Sequence, residues 1–153
     1  MDRKLDEIDK MILDILKENS KIKTVDIARR LMIPANTIYA RLRRIEKEGF
    51  IKRYTIELDY ERLGKTIVAY VFVRISQKTS TGKKITQFDI AEKIKEIENV
   101  ENVSIITGPY DILVRIRVSD IKELNDVVIR KLRSIDGVEK TQTTIVLQEI
   151  NND

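Results

Sequence analysis

The sequence predicts an α+β fold with an N-terminal winged helix-turn-helix in residues 1–58, a linker in residues 59–65 and a C-terminal ferredoxin-like βαββαβ domain in residues 66–153. Three observations support this prediction. Three amphipathic helical patterns follow one another closely at the N-terminus. Strand-like and helix-like segments alternate after residue 66. Residues 97–101 (IENVE) also resemble residues 135–139 (IDGVE), and each copy leads from a predicted helix into a predicted strand.

The first two helices are predicted from their apolar spacing and their end signals. Asp6 is expected to cap the first helix, which reaches Glu18 and carries an apolar stripe of Ile8, Ile12, Ile15 and Leu16. Thr24 is expected to cap the second helix, which turns Ile27, Ala28 and Leu31 inward. Pro34 then pre-sets the backbone for the start of a third helix, and Gly49 ends that helix.

The third helix, Ala35 to Lys47, has two unlike faces when it is wound at about 100° per residue. The inner face holds Ile38, Leu42 and Ile45. The outer face holds Asn36, Ala40, Arg43 and Lys47, flanked by Thr37, Tyr39 and Arg44. Amide and cationic groups of this kind match base edges and phosphates in a DNA major groove. The alternative is an ordinary solvated helix face, and the preceding helix and the following wing favour the DNA interpretation.

The remaining segments complete the two domains. Residues 50–58 (FIKRYTIEL) alternate in part and predict a wing strand or short hairpin, and Gly64 closes the linker. The first C-terminal strand, Thr66 to Ile75, is apolar on both faces. In the predicted fold the helices cover only one face of the sheet, so the other face is expected to pack against a second copy. A helix is expected around Ile90–Ile97 and another from Asp120 that buries Ile121, Leu124, Val128 and Leu132; the other strands are Val103–Thr107, Ile112–Val118 and Thr141–Ile150.

Composition bounds the function. The chain has no Cys and no His, which weighs against conventional hydrolases and zinc enzymes. Residues 1–54 hold 14 Lys and Arg against 9 Asp and Glu, whereas residues 55–153 hold 15 against 16, so the basic excess lies in the predicted DNA-binding half.

No apolar run approaches a membrane span of about 18 residues, and a cytoplasmic protein is expected. An enzyme that uses Asp111 as a base and Arg115 or Arg117 as anion binders is the least favoured alternative.

The order and spacing of many short motifs resemble the leucine-responsive regulatory protein / AsnC family of transcription regulators. The matching residues include Leu5-Asp6-Glu7-Ile8-Asp9, Thr37-Ile38 with Arg41-Leu42, Ile45-Glu46-Lys47-Glu48-Gly49-Phe50-Ile51, Thr107-Gly108-Pro109-Tyr110-Asp111 and Ser134-Ile135-Asp136-Gly137-Val138. The resemblance implies a homodimer with paired C-terminal sheets, often assembled into tetramers or octamers. It also implies a palindromic double-stranded promoter site and a free amino-acid effector bound between C-terminal domains.

The resemblance also implies roles for individual residues. Those expected at the DNA are Thr24, Asn36, Thr37, Tyr39, Ala40, Arg41, Arg43, Arg44, Lys47, Lys52 and Arg53. Those expected at the effector are Gly108, Tyr110, Asp111, Thr141 and Thr143. Apart from an amino-acid effector, no cofactor and no metal is expected. A ligand-independent autoregulatory or architectural DNA-binding protein remains the alternative.

Two departures from the family pattern affect these expectations. Many relatives have Ser where this chain has Pro34, which puts the base-facing register in doubt by about one residue. The polar loop of residues 77–84 is longer than usual, and contact with DNA, a role in assembly and no role at all stay open for it.

Overall fold

The computed structural model describes residues 4–76, 80–82 and 84–150. The chain divides into two compact units, Met1–Leu58 and Asp59–Asp153. Each unit has a hydrophobic core of its own.

The N-terminal unit is built from helices α1 (Glu7–Glu18), α2 (Thr24–Leu31) and α3 (Ala35–Lys47). Their inward faces form one core of Ile12, Leu16, Ile27, Ala28, Ile38 and Ile45. The bounds predicted for α3 are confirmed, and Pro34 occupies its N-cap position without a side-chain hydrogen bond. The helix therefore begins where the sequence predicts, although a side-chain cap is missing.

The ends of these helices follow ordinary capping rules, except that the N-termini of α2 and α3 have no side-chain cap. The Asp6 side chain accepts from the Asp9 backbone N–H while the Asp9 side chain accepts from the Asp6 backbone N–H, a complete capping box. Gly49 has a φ of +76°, and its N–H donates to the Glu46 carbonyl while the next N–H donates to the Ile45 carbonyl. The prediction that Thr24 caps α2 is wrong. Thr24 is the first helical residue, and Lys23 fills the cap position without a side-chain bond.

The prediction of a wing strand or hairpin in residues 50–58 is also wrong. Residues 51–58 form no regular structure, and the described part of the N-terminal unit contains no strand. A strand needs a neighbour for its N–H and C=O groups, and none is available there. Side chains attach the segment instead. Ser20 Oγ donates to the Thr55 carbonyl at 3.3 Å, and the Tyr54 hydroxyl donates to Glu46 Oε1 at 2.6 Å.

The segment that was expected to be a linker, residues 59–65, is a hydrogen-bonded turn within the C-terminal unit. The Leu63 N–H donates to the Asp59 carbonyl at 3.2 Å, and the Lys65 N–H donates to the Tyr60 carbonyl at 2.9 Å. The Tyr60 ring lies 4.0 Å from the guanidinium carbon of Arg117. Backbone hydrogen bonds therefore hold the turn together, and the Tyr60 side chain attaches it to the sheet.

The C-terminal unit is an antiparallel sheet in the order β2-β3-β1-β4, with helices in the connections. This is the ferredoxin-like order, so the predicted βαββαβ arrangement is confirmed. The elements are β1 (Ile67–Ile75), α4 (Gln87–Lys95), β2 (Val100–Ile105), β3 (Ile112–Val118), α5 (Ile121–Asn125) and β4 (Val138–Ile145). Strands β2 and β4 both begin three residues earlier than predicted, since each starts immediately after a tight turn.

The sheet has one covered and one open face. The covered face carries Ala69, Val71, Val73, Val114 and Ile116, which pack with Ile90 and Ile94 of α4 and with Leu124 and Leu132. A side chain directly across an antiparallel pair shares a face with its partner. Tyr70, Phe72 and Leu113 therefore lie on the open face, where they are half-buried.

Helix α5 continues as a π-helical segment, Asp126–Leu132. The prediction that this region buries Ile121 is wrong, because Ile121 is exposed in the first turn and Val127 is buried instead. Asp120 caps the helix by accepting from the Glu123 N–H at 2.7 Å, whereas the Glu123 carboxylate accepts from Ser119. The pair is therefore a displaced form of a capping box, in which the N3 side chain would accept from the N–H of the cap residue itself.

The 77–84 loop lies partly outside the described residues, at positions 77–79 and 83. In its described part, the Ser80 N–H and hydroxyl both donate to the Asp136 carboxylate at 2.9 Å. The backbone bond and the hydroxyl bond from Ser80 lower the pKa of Asp136. This contact ties the loop to the turn that precedes β4.

Gly137 in that turn provides a stability test. Its φ is +99°, and a Cβ there would lie 2.8 Å from Ile90 Cδ1 and 3.3 Å from Ile85 Cγ2. We expect Gly137→Ala to lower the free energy of unfolding by roughly 2–4 kcal/mol, through backbone strain and overpacking together. Gly64→Ala is the matched control, since φ is +70° and nothing lies within 4 Å of its Cβ position. Urea denaturation followed by circular dichroism measures both, and equal losses would contradict the packing argument.

Candidate functional site

A buried carboxylate joins the start of α1 to α3. Asp9 is the one charged side chain classed as buried among the described residues, and none of its surface is exposed. Arg41 Nη1 donates to Asp9 Oδ1 at 2.8 Å, and Arg44 Nη2 donates to Asp9 Oδ2. Arg41 Nη1 also donates to Asp6 Oδ2 at 2.6 Å. Two arginines on one edge of α3 are thus attached to two aspartates on α1.

These ion pairs fix which side of α3 faces outward. Ile38 and Ile45 are fully buried in the core, whereas a continuous outer surface is exposed. We call this surface the outer face of α3; it comprises Asn36, Thr37, Tyr39, Ala40, Arg43 and Lys47. The Arg43 guanidinium carbon lies 5.9 Å from the centre of the Tyr39 ring. The outer face therefore presents an amide, a hydroxyl, an aromatic ring and two cations to solvent.

Two of the arginines predicted at the DNA occupy a different place from the others. The Arg41 and Arg44 side chains are only 24% and 27% exposed and are held by aspartates. They border an open depression beside the outer face, which is also lined by Lys4, Asp6, Asn36, Thr37 and Ala40. The structure thus brings Asn36, Thr37, Ala40, Arg41 and Arg44 together but commits the two arginines to intramolecular pairs.

The other residues predicted at the DNA lie on α2 and after α3. Thr24 is half-buried at the first position of α2. Lys52 and Arg53 are exposed in the irregular segment that follows α3. Next to them, desolvation and the hydrogen bond to Glu46 raise the pKa of Tyr54 to about 12, so its phenol remains a donor at neutral pH. This bond links the irregular segment to α3.

In the C-terminal unit, the loop between β2 and β3 is attached to the open face of the sheet, to the end of β1 and to α4. On the open face, Tyr110 packs on Phe72 with ring centroids 5.5 Å apart, and its hydroxyl donates to Gln142 Oε1 at 2.6 Å. Asp111 lies at the end of β1, where Oδ2 accepts from the Ile75 N–H at 2.9 Å and Oδ1 accepts from Gln87 Nε2 at 3.0 Å. Both Asp111 oxygens are therefore engaged within the chain.

The two groups predicted at the effector are separated within one chain. Thr141 and Thr143 pair with Val73 and Val71, which belong to the covered face of the sheet. Thr141 Oγ1 accepts from Arg133 Nε at 2.7 Å. Tyr110 contacts the opposite, open face, and Gly108 is exposed in the loop with a φ of +123°. A single copy does not gather these five residues into one pocket.

A charged network on the open face was not foreseen from the sequence. Arg115 contacts Glu101 at 2.7 Å and Glu149 at 2.6 Å, and Arg117 contacts the same glutamates at 2.6 and 3.5 Å. The alternation of Arg115 and Arg117 on β3 was visible, but their acidic partners come from β2 and from beyond β4. Because these arginines are paired with carboxylates, they are poor candidates for the anion binders of an enzyme.

In the part of the chain that the structure describes, no cluster of acidic side chains is arranged to hold a metal ion. The same residues include no helix with the length and apolarity that a membrane crossing requires.

The fold combines a helix-turn-helix unit, whose third helix exposes a polar and basic face of the kind that binds DNA, with a second unit of ferredoxin-like topology. Comparison with known proteins agrees. Residues 5–52 match the winged helix-turn-helix DNA-binding model, and residues 69–153 match the Lrp/AsnC ligand-binding domain. The chain therefore belongs to the Lrp/AsnC family, as its motifs indicated. Its relatives are transcription regulators, so the enzyme alternative is set aside.

Two relatives and two solved structures illustrate the similarity. An uncharacterised HTH-type transcriptional regulator of Pyrococcus furiosus is 36% identical over 92% of this chain and 91% of its own length. One from Pyrococcus abyssi is 37% identical over 97% and 96%. The transcriptional regulator–L-Met complex from Neisseria meningitidis has a TM-score of 0.88 at 26% identity, covering 97% of this chain and 94% of that one. E. coli AsnC has a TM-score of 0.83 at 23% identity, covering 99% and 97%, and shows the shared fold.

The Asp6–Arg41 pair predicts an acid-dependent loss of stability. The hydrogen bond from Arg41 and that from the Asp9 N–H lower the pKa of Asp6 from 3.8 to about 2. A lowered folded-state pKa stabilises the fold above the unfolded value, and this contribution is lost as the pH falls from about 4 towards 2. We expect the protection of the α1 and α3 amides from hydrogen exchange, measured relative to the intrinsic exchange rate at each pH, to decrease across that window. Asp6→Asn should reduce this dependence, and an unchanged pH profile would contradict the assignment.

Proposed function

We propose that this regulator is a homodimer in which α3 of each copy lies in a major groove of a palindromic promoter site. We further propose that a free amino acid, bound at the C-terminal domain with the help of a second copy, changes its affinity for DNA. The observation that carries the DNA part is the outer face of α3, which is exposed and polar while the opposite face is buried in the core. Amide and guanidinium groups on such a helix suit base edges, and Lys47 suits a phosphate.

The open face of the C-terminal sheet supports the homodimer. It presents half-buried apolar side chains, namely Tyr70 and Phe72 on β1, the strand expected to be covered on both sides, and Leu113 on β3. A second copy of the same face would remove this surface from water around a two-fold axis. Two α3 helices related by that axis require half-sites separated by whole helical turns of about 10 base pairs each.

The effector part rests on the ligand-binding domain and on the hairpin of residues 108–111. The solved relative from N. meningitidis is a complex with L-methionine, which makes a free amino acid the ligand class to test first. In one copy of this chain Tyr110 and Thr141 lie on opposite sides of the sheet, so a shared site would need residues from a neighbouring copy. An amino acid that binds one assembly state more tightly than another would change the affinity for DNA. By linkage, DNA would change the affinity for the amino acid by the same factor.

Single substitutions on the outer face test the DNA interface. We expect Lys47→Gln to weaken binding to all duplexes alike and to reduce the salt slope by about one, because one phosphate contact is lost. Asn36→Ala should cost about 1–3 kcal/mol at the promoter site and little on random DNA. Arg130→Gln in the C-terminal unit removes the same charge from an exposed position and is the control. Fluorescence anisotropy with DNA from the gene's own promoter measures each, and an equal loss in Arg130→Gln would contradict the interface.

A pair of substitutions tests the effector site and separates loss of the effector response from loss of stability. We expect Asp111→Asn to abolish the amino-acid response, since it removes the carboxylate charge while retaining an oxygen for the Ile75 N–H. Gln87→Ala is the control, because it breaks the bond to Asp111 Oδ1 and leaves the carboxylate in place. The readout is the change in DNA affinity across a panel of the common amino acids. A response that survives in Asp111→Asn would contradict the role of this carboxylate.

A regulator that works without a ligand is the second candidate, favoured by the engagement of both Asp111 oxygens within the chain. In that case sequence-specific binding would be indifferent to the whole panel of amino acids. Neither Asp111→Asn nor Gln87→Ala would then alter DNA affinity beyond its effect on stability.

A further inference from the structure

The two carboxylates that bind Arg41 differ in their environment. Asp9 is completely buried, whereas half of the Asp6 side chain is exposed. Both accept from the same nitrogen, Arg41 Nη1, at 2.8 and 2.6 Å. Leaving a buried carboxylate unpaired is costly, but an exposed ion pair contributes little and is easily exchanged. Asp9 is therefore the fixed partner of Arg41, and Asp6 is the partner that another anion could replace.

The surroundings of this pair suit a phosphate. Arg41 borders the open depression beside the outer face of α3, together with Lys4, Asn36 and Thr37. An ammonium, an amide, a hydroxyl and a guanidinium are the side-chain groups that most often contact DNA backbone oxygens. The planar guanidinium of arginine fits phosphate better than the other three do. A backbone phosphate running along α3 would thus meet a suitable set of donors, with the Asp6 carboxylate already bound to one of them.

We propose that Asp6 competes with a DNA backbone phosphate for Arg41 and thereby weakens the binding of this regulator to every duplex. The inference rests on the proposed role of α3 as the DNA-binding helix. In the bound state Arg41 keeps its bond to Asp9, which positions it, and exchanges Asp6 for a phosphate oxygen. Asp6 is then a determinant of DNA affinity as well as the N-cap of α1.

Asp6→Asn tests this proposal because it separates the two roles. Asparagine caps a helix about as well as aspartate, so α1 keeps its start while the competing carboxylate is removed. Asp14→Asn is the matched control, since Asp14 is also an exposed α1 aspartate in an ion pair, with Lys17 at 2.8 Å. It lies eight residues further along, about 12 Å at 1.5 Å per residue, which exceeds the screening length of about 8 Å at physiological salt.

The measurement is anisotropy of the full chain on a random-sequence duplex between about 50 and 200 mM salt. We expect Asp6→Asn to bind about two- to fivefold more tightly, the range that an exchanged surface ion pair spans. Its salt slope should stay close to that of the unsubstituted chain, because Arg41 contacts the same phosphate in both bound states and only the competing carboxylate is lost. Asp14→Asn should leave the affinity unchanged. An Asp6→Asn protein that behaves like Asp14→Asn would overturn the proposal.

A second comparison, made in a protein that already carries Arg41→Gln, tests whether the gain in DNA affinity depends on Arg41. When Asp6→Asn is added to Arg41→Gln, we expect no further gain in affinity and no further change in slope. A gain that persists without Arg41 would overturn the proposal even if Asp6→Asn alone behaves as expected. If Arg41→Gln does not fold, the comparison of Asp6→Asn with Asp14→Asn decides alone. Failure of the unsubstituted chain to bind any duplex would instead overturn the proposed function, and this inference with it.

Discussion

The N-terminal unit depends on the need of one buried carboxylate for partners. Asp9 has no contact with solvent, and without its two cations it would be an unpaired charge in the core at a cost of several kcal/mol. Both cations, Arg41 and Arg44, sit on the same edge of α3. Because they must reach Asp9, α3 cannot rotate about its axis without breaking the pairs. The residues that face outward are therefore set by an interaction on the flank of the helix.

The C-terminal unit meets a different constraint, since its central strand β1 is apolar on both faces while helices cover only one. On the open face Phe72 packs on Tyr110, and Arg117 lies against Tyr60 and two glutamates. These contacts attach the 59–65 turn and the 108–111 hairpin to the same sheet surface. A second copy on this surface would therefore touch both the segment that leads to the DNA-binding unit and the predicted ligand hairpin, which gives the proposed regulation a physical route.

Local signals predicted much of this structure, and non-local pairing accounts for most of the errors. The bounds of α3 follow from its own period and from Gly49, and the order of the sheet follows from the alternation of elements and the repeat. The wing strand failed because a strand depends on a partner that the segment itself does not specify. The family resemblance places Arg41 and Arg44 at the DNA, but it does not show that aspartates from another helix pair with both arginines. The sequence shows Asp6 and Asp9 three residues apart, but only the fold shows that both pair with arginines of α3.

The central claim is that the outer face of α3 lies in a major groove, and the absence of cysteine from the chain allows a direct measurement. Ala40→Cys places one thiol on that face, and Asn125→Cys places one on an exposed position of the C-terminal unit. Promoter duplexes would carry a disulfide tether on cytosine N4, in the major groove, or on guanine N2, in the minor groove. The account predicts that Ala40→Cys cross-links to the N4 tether and that Asn125→Cys does not. Equal cross-linking yields from the two proteins would contradict the major-groove placement of α3. Preferential reaction of Ala40→Cys with the N2 tether would contradict it as well.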